Sequence, residues 1–186
     1  MKVHIKNMVS NRCKQMLKSE LDKRGLHYII LGLGEVEIME TLTEDLKFRI
    51  NKGLKESGLA IIEDKKAILI EKIKNTIIDL VYYSDTLLKI NFSDYLSQKL
   101  NYDYTYMANI FSENQGITIE HFLLTNKIER AKELLVYDEL NITEIANKLH
   151  YSSTGHLSNQ FKKMTGLTPS YYKHLKLKRP SVDGNK

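Results

Sequence analysis

The chain has 186 residues, 42% hydrophobic and 27% charged, a composition typical of globular proteins that excludes wholesale disorder. This length suffices for one large or two small domains, each with its own core. The formal net charge is +5, and from residue 150 to 186 seven Lys or Arg stand against one acidic residue. This excess favours a polyanionic partner at the C-terminal end, although a solvated lysine-rich tail would give the same charge.

The single cysteine and the short apolar runs bear on the cellular compartment of the protein. Cys13 is the single cysteine, so no intramolecular disulfide can form, and the N-terminus has no pattern typical of a signal peptide. The longest apolar runs, such as 28–33 and 76–81, are far too short to cross a bilayer. We therefore expect a cytoplasmic protein without a membrane partner.

Strand and helix patterns alternate over residues 1–64. Val3 and Ile5 alternate with polar residues, as in a strand with one buried face. Four strands are predicted, at 2–6, 27–33, 35–40 and 59–62. Two helices are predicted, from Ser10 to Gly25 and from Thr41 or Thr43 to Gly58. The order βαββαβ predicts a ferredoxin-like α+β domain, in which a four-stranded antiparallel sheet carries two helices on one face.

The loop after the first strand reads Met8-Val9-Ser10-Asn11-Arg12-Cys13. It resembles the Met-x-Cys-x-x-Cys loop of the heavy-metal-associated domain of copper chaperones and metal-pumping ATPases, with Ser10 in place of the first cysteine. The resemblance implies a soft metal ion at Cys13, with Met8 or a second subunit's Cys13 as its other ligand. A serine hydroxyl replaces a soft thiolate poorly, so a small, partly buried cysteine without metal is the favoured interpretation. No other cofactor is predicted.

Residues from Asp64 to Ser84 have apolar side chains in helical register and contain no Gly or Pro. We predict one long helix, capped by Asp64, that opens an all-α domain over residues 65–175 and bridges it to the sheet domain. No flexible linker of Gly, Ser or Pro separates the two domains. Residues 176–186 are predicted to form a basic, disordered tail.

Two short amphipathic helices are predicted between residues 141 and 166. Asn141 or Thr143 is placed to cap the first, and Ser152 or Ser153 the second. The small Ala146 lets the second helix cross close over the first, as a helix-turn-helix requires. Gly166 ends the second helix, and Thr168-Pro169 opens a third. The apolar stripes consist of Ile142, Ile145, Ala146 and Leu149, then Leu157, Phe161 and Met164.

The same pattern occurs about fifty residues earlier in the chain. Two helix-turn-helix units are therefore predicted, joined by a helix over 119–135 that spans about 25 to 30 Å at 1.5 Å per residue. At that separation, two recognition helices would reach successive major-groove faces on one side of a DNA duplex. The corresponding residues are Asn91 and Asn141, Leu96 and Ile145, Met107 and Leu157, Phe111 and Phe161, Gly116 and Gly166, and Phe122 and Tyr172.

At these positions the sequence resembles the AraC/XylS family of bacterial transcription regulators. The matching residues are Ile142-Thr143-Glu144-Ile145-Ala146, Phe161-Lys162-Lys163, Gly166, Thr168-Pro169-Ser170 and Tyr172. The resemblance implies a DNA-binding domain of two helix-turn-helix units joined by a long helix. It implies a non-enzymatic regulator that binds double-stranded DNA, with the N-terminal domain as an effector-sensing or dimerisation module.

Outward positions of the two recognition helices are the predicted DNA contacts. Neither helix contains arginine, so bidentate recognition of guanine is not available and a preference for A·T-rich sites is predicted. Lys162 and Lys163, with Lys127 and Arg130 on the connecting helix, are predicted to contact phosphates. The tyrosines at 151, 171 and 172 are predicted to pack the second unit rather than stack on bases. The groove-facing residues are Tyr104, Thr105, Ala108 and Asn109, then Ser153, Thr154, Ser158 and Asn159.

Two other hypotheses remain open at this point. No Gly-rich phosphate loop, His-Glu-x-x-His motif or Ser-His-Asp constellation is present, so an enzyme is not predicted. A metal-binding sensor or carrier is the alternative that the Met8 to Cys13 loop supports. An interaction protein, whose sheet pairs with a partner and whose DNA affinity is residual, is the third hypothesis. Edge strands of the sheet leave a homodimer open, and the sequence does not identify the effector.

Overall fold

The structure of the protein, a computed structural model, describes residues 1–84, 90–137 and 140–177. It contains two hydrophobic core clusters, one formed by buried side chains between residues 3 and 59 and the other between residues 69 and 161. The predicted boundary at residue 64 falls in the short link between them. Within the described ranges, no helix combines the length and the apolar character needed to cross a membrane.

An antiparallel four-stranded sheet with two helices forms the N-terminal domain, as the sequence predicts. Across the sheet the strands lie in the order β2-β3-β1-β4, and each neighbouring pair is antiparallel. In chain order the elements are β1 (Lys2–Lys6), α1 (Asn11–Asp22), β2 (Tyr28–Gly32), β3 (Glu35–Ile38), α2 (Glu44–Glu56) and β4 (Ala60–Ile62).

Residue alternation decides which face of the sheet is covered. Val3 and Ile5 on β1 and Val36 and Ile38 on β3 are buried with the apolar sides of α1 and α2. Successive strand residues point to opposite faces, so the lysines of β1 are exposed on the other side. Fully burying one such aliphatic side chain contributes about 1.5–3 kcal/mol relative to leaving it in water.

The predicted N-caps are confirmed where the sequence named them. Ser10, Thr43 and Asp64 each accept a hydrogen bond from the backbone amide three residues further on. The second and third strands are shorter than predicted, because the amide of His27 donates to the carboxylate of Glu40 (2.9 Å to Oε1) rather than extending the sheet.

Within the described ranges, the regular secondary structure of the C-terminal domain is helical. Its first helix, α3, continues as a π-helical segment over Asp79–Tyr83, so the single helix predicted for 64–84 changes its hydrogen bonding at the end. Residues 176 and 177 are helical rather than part of a tail, and residues 178–186 of the predicted tail lie outside the described part of the chain. The helices are α3 (Lys65–Ile78), α4 (Phe92–Leu100), α5 (Tyr104–Gln115), α6 (Ile119–Tyr137), α7 (Ile142–Lys148), α8 (Thr154–Thr165) and α9 (Pro169–Leu177).

Helix α3 joins the two domains through two different sides. Its apolar side, with Ile73 and Ile77, belongs to the C-terminal core. Its polar side contacts the sheet domain, where Glu71 accepts a hydrogen bond from the amide of Asn7 (3.0 Å) and Asn75 donates to the carbonyl of Leu33 (3.2 Å). The domains are thus joined by hydrogen bonds rather than by a shared apolar core.

A close approach at this junction requires glycine. Gly34, in the turn between β2 and β3, has a φ of +75°, in the left-handed region that side chains other than glycine rarely adopt. A Cβ atom there would also lie 2.3 Å from the side-chain nitrogen of Asn75. Any larger residue would therefore separate the hairpin from α3.

Candidate nucleic-acid interface

The two helix-turn-helix units, α4–α5 and α7–α8, share one scaffold, which confirms the predicted repeat. Phe111 and Phe161 are fully buried at equivalent places. The ring of Phe111 meets Phe122 edge-on at 5.7 Å between centroids, and that of Phe161 meets Tyr172 at 5.5 Å. Gly116 and Gly166 end α5 and α8 with φ of +71° and +78°. The same contacts therefore hold each recognition helix against the helix that follows it.

The caps of the two units are similar but not identical. Asn91 accepts a hydrogen bond from the amide of Asp94 (2.8 Å), and Asn141 accepts one from the amide of Glu144 (3.0 Å). The backbone amide of Asn141 in turn donates to the carboxylate of Glu144 (2.7 Å), which completes a capping box. Asp94 makes no such return bond in the described part of the first unit. Of the two residues predicted to cap α7, Asn141 is the one that does so.

Of the predicted contacts on the first recognition helix, α5, Thr105 and Asn109 are exposed, while Ala108 is half-buried. Tyr104 is also half-buried, and its hydroxyl donates to the carboxylate of Glu120 on α6. Burial, together with this bond, raises the pKa of Tyr104. Its hydroxyl is therefore engaged in fixing the first turn of α5 against α6.

The sequence reasoning overlooked an aromatic pair beside α5. Tyr102 and Tyr106 stack with centroids 6.0 Å apart and planes 16° from parallel, and both remain exposed. Tyr102 lies in the turn before α5 and Tyr106 in the first turn of that helix, so no helical spacing in the sequence indicated the pair. The pair adds a flat, amphipathic surface next to Thr105.

Of the predicted contacts on the second recognition helix, α8, Asn159, Lys162 and Lys163 are exposed, while Thr154 and Ser158 are half-buried. Neither lysine forms an ion pair with any carboxylate of the described chain. Both ammonium groups are thus available to an external anion. Ser153 is exposed and caps α8, accepting a hydrogen bond from the amide of His156 (3.1 Å).

Two packing expectations for the second unit are wrong. Met164 is 38% exposed rather than part of the buried stripe, because the last turn of α8 extends beyond the core that Leu157 and Phe161 fill. Tyr171 is 53% exposed and does not pack the unit. The expectation is confirmed for Tyr151, which is buried, and for Tyr172, which packs against Phe161.

Two of the basic residues of α6, Lys127 and Arg130, are turned toward aromatic rings. The guanidinium of Arg130 lies 5.7 Å from the ring centroid of Tyr82 and pairs with Glu133 at 2.9 Å. The ammonium of Lys127 lies 4.9 Å from the ring centroid of Tyr151. Their predicted contact with phosphates stays a prediction, and these ring contacts give both side chains another place in the fold.

The residues of the predicted metal loop provide one accessible soft ligand. Met8 is fully buried in the N-terminal core, and the thiol of Cys13 accepts a hydrogen bond from the hydroxyl of Ser10 (3.2 Å). Burial acts to raise the pKa of Cys13, but hydrogen bonds from Ser10 and the loop backbone lower it below its usual value. Over the described ranges no group of three or more His, Cys, Asp or Glu is placed to hold a metal. A single thiol does not fit a two-thiolate Cu(I) site, and metal binding at Cys13 stays a prediction.

Comparisons with known proteins concern the helical domain. A family model described as a helix-turn-helix domain matches residues 96–174. The uncharacterized HTH-type transcriptional regulator YtdP of Bacillus subtilis is 29% identical over 83 residues, which are 45% of this chain and 11% of that protein. An uncharacterized HTH-type transcriptional regulator of Staphylococcus aureus is 34% identical over 90 residues, 48% of this chain and 12% of that protein. The chain thus matches little more than a tenth of the length of these curated relatives.

A solved structure shows the same fold. The C-terminal domain of AraT, a response regulator from Geobacillus stearothermophilus, superposes with a TM-score of 0.54 at 24% identity. The superposition covers 66% of this chain and 97% of that domain. The relatives are described as transcriptional regulators rather than enzymes, in agreement with the expectation from the sequence.

Proposed function

We propose that this chain, whose residues 96–174 form a helix-turn-helix domain of the AraC type, is a sequence-specific DNA-binding transcription regulator. The observation that carries the proposal is the repeated scaffold, in which an equivalent aromatic contact holds each recognition helix and leaves an exposed polar side on α5 and on α8. The description of the relatives as HTH-type transcriptional regulators supports it.

The length of α6 suits two readers on one duplex. Its 19 residues span about 28 Å at 1.5 Å per residue. One turn of B-DNA is roughly 34 Å, so two helices held at such a separation reach successive major grooves on the same side. Binding through both units then gives a longer recognition site than either unit reads alone.

The proposed contacts divide into base readers and phosphate contacts. Asn109 and Asn159 are exposed amides, the side-chain type that pairs with both N6 and N7 of adenine. Lys162 and Lys163 are proposed to contact phosphates, which position the protein without reading sequence. Because neither α5 nor α8 contains arginine, A·T-rich sites are preferred. The remaining proposed groove residues are Tyr104, Thr105, Ala108, Ser153, Thr154 and Ser158.

We infer a ferredoxin-like N-terminal domain that acts as an effector-sensing or dimerisation module. The strand order β2-β3-β1-β4 with two helices on one face supports the fold assignment. The hydrogen bonds from the sheet domain to Glu71 and Asn75 on α3 support the role, because they connect it to the first helix of the DNA-binding domain. A homodimer through the sheet edges stays a prediction.

Selection of bound sequences from a random DNA pool tests the proposal, using the full chain. We expect an A·T-rich consensus with two half-sites about one helical turn apart, bound with an affinity that falls steeply with salt. Asn159→Ala is expected to lose about tenfold in affinity and to relax the preference at one position. Asn11→Ala, an exposed asparagine on α1, is the matched control and is expected to change neither. A G·C-rich consensus, or no enrichment at all, would contradict the proposal.

A further inference from the structure

A cleft lies between α6 and the second helix-turn-helix unit. Its volume is about 390 Å³, within the range of small-molecule sites in proteins. Leu123 and Leu124 contribute an apolar wall, and Lys127, His150 and Tyr151 contribute a polar one. This combination suits a ligand with an apolar body and a charged end.

Lys127 provides the charge of the cleft. No carboxylate within the described ranges pairs with its ammonium, whose closest polar contact is the carbonyl oxygen of His150 at 3.5 Å. Burial lowers the pKa of Lys127 to about 8, because the charged form is only partly solvated. Glu120 also lines the cleft, but its carboxylate accepts the hydrogen bond from Tyr104. An external anion would restore the electrostatic stabilisation that Lys127 loses on burial.

The wall beside Lys127 contains two buried polar atoms without hydrogen-bond partners, the hydroxyl of Tyr151 and Nε2 of His150. Buried polar groups in proteins are nearly always hydrogen-bonded, and one left unpaired costs about 1–3 kcal/mol. Tyr151 is only 8% exposed. Both atoms are enclosed within the wall, so the ammonium of Lys127 is the polar group that meets a ligand in the cleft.

We propose that the cleft binds a small organic monoanion, a carboxylate with a compact apolar body. The carboxylate accepts a hydrogen bond from the ammonium of Lys127, and the apolar body packs against Leu123 and Leu124. Of the other ionisable side chains facing the cleft, the carboxylate of Glu120 is negative and accepts the hydrogen bond of Tyr104, while the histidines at 121, 150 and 156 carry no negative charge.

The position of the cleft couples it to both recognition helices. Glu120, on one wall, accepts the hydrogen bond of Tyr104 from the first turn of α5. His156, on the other wall, belongs to the first turn of α8 and donates its amide to Ser153. A ligand between these walls changes the relative placement of the two readers, so it changes DNA affinity. This last step rests on the proposed function, whereas the binding itself does not.

Calorimetric titration of the full chain with cyclohexanecarboxylate at pH 7, without DNA, tests the site. We expect saturable binding with one site per chain, no binding of acetate, which lacks the apolar body, and none of cyclohexylmethanol, which lacks the charge. Lys127→Met is expected to weaken binding at least about tenfold. Lys132→Met, on the same helix but paired with Glu129, is the matched control and should bind normally. Thermal unfolding of both variants verifies that they fold.

Unchanged binding in a folded Lys127→Met variant would overturn the site, as would equal binding of acetate or inorganic phosphate. DNA affinity measured with and without cyclohexanecarboxylate then tests the coupling, because a ligand that alters DNA affinity must itself bind differently when DNA is present. Intact DNA binding with no ligand binding rejects the cleft and leaves the proposed function standing. Ligand binding with no DNA binding under any condition rejects the proposed function and leaves the cleft standing.

Discussion

The two helix-turn-helix units have equivalent interiors and different exteriors. Phe111 and Phe161 occupy the same buried place, and a left-handed glycine ends each recognition helix. The exposed side of α8 carries Lys162 and Lys163, whereas α5 contains no lysine or arginine and has Glu113 near its end. The comparison teaches that the repeat preserves the packing that positions a recognition helix. The side chains proposed to contact DNA lie at surface positions, which differ between the two units.

A second difference lies on the helix before each unit. At the spacing of fifty residues that relates the units, Lys127 on α6 corresponds to Ile77 on α3. Ile77 is fully buried in the core, while Lys127 lines the cleft. The second unit therefore has a polar group where the first has an aliphatic one, and the two units differ in what they can bind beside DNA.

The largest expected effect tests whether the interiors are equivalent. Phe111→Ala and Phe161→Ala are each expected to lower the free energy of unfolding of the helical domain by about 3–5 kcal/mol, because both remove a fully buried ring. Denaturant unfolding followed by circular dichroism measures both. Phe48→Ala, at a 69% exposed position on α2, is the control and should change little. If Phe111→Ala lowered the free energy of unfolding by less than half as much as Phe161→Ala, the two units would be equivalent in structure but not in stability.

The next effect sharpens the difference between the exteriors. Replacing both Lys162 and Lys163 by methionine is expected to weaken DNA binding about ten- to a hundredfold and to reduce the salt dependence by about two phosphate contacts. The physical reason is the loss of counterion release at two phosphates. A fluorescence titration at several salt concentrations measures both quantities. Lys132→Met, whose ammonium is paired with Glu129, should leave the slope unchanged, and an unchanged slope in the double variant would remove these lysines from the interface.

Features of the interior could be predicted from the sequence, whereas the contacts of several surface side chains could not. The caps at Asn91 and Asn141, the glycine stops and the buried phenylalanines were predictable, because each depends on a signal within a few residues. The directions of Lys127 and Arg130 were not, since they depend on rings at Tyr151 and Tyr82 that only the tertiary fold brings near.

The cleft was unpredictable for the same reason. Leu124 lies on α6 and Tyr151 lies between α7 and α8, and no local pattern relates them. The hydrogen bond between Tyr104 and Glu120 likewise joins two helices. Periodicity identifies which residues face outward or inward, but it does not tell which partners an intermediate side chain meets.

A smaller effect is expected to distinguish the N-caps of α4 and α7. Asn141→Ala is expected to destabilise the domain by about 1–2 kcal/mol, because the side chain of Asn141 accepts hydrogen bonds from two backbone amides, those of Thr143 and Glu144. Asn91→Ala is expected to cost about 1 kcal/mol, since its side chain accepts from one backbone amide, that of Asp94, and from the hydroxyl of Ser93, which water can replace. Urea unfolding of the two variants side by side decides the order. Equal losses would mean that the second amide bond to Asn141 contributes nothing measurable.

The last expected effect depends on pH and concerns Lys127, whose counterpart in the first unit is the aliphatic Ile77. Its folded-state pKa of about 8 is below the ordinary value of about 10.4. Between these values the unfolded chain binds more protons, so the stability of the wild type rises with pH over this window. Lys127→Met is therefore expected to be more stable than the wild type below pH 8, with the difference shrinking toward pH 10. Thermal unfolding across this range measures it, and a difference independent of pH would place the ammonium in water.

Helix α3 divides its two sides between the two domains, and this division has a consequence for modular exchange. The aliphatic side completes the helical core without help from the sheet, while Glu71 and Asn75 face the sheet with groups that water satisfies equally well. The helical domain can therefore be attached to an unrelated front domain without rebuilding its interior. When a different N-terminal domain is attached, only the polar residues on the sheet-facing side of α3 need to change.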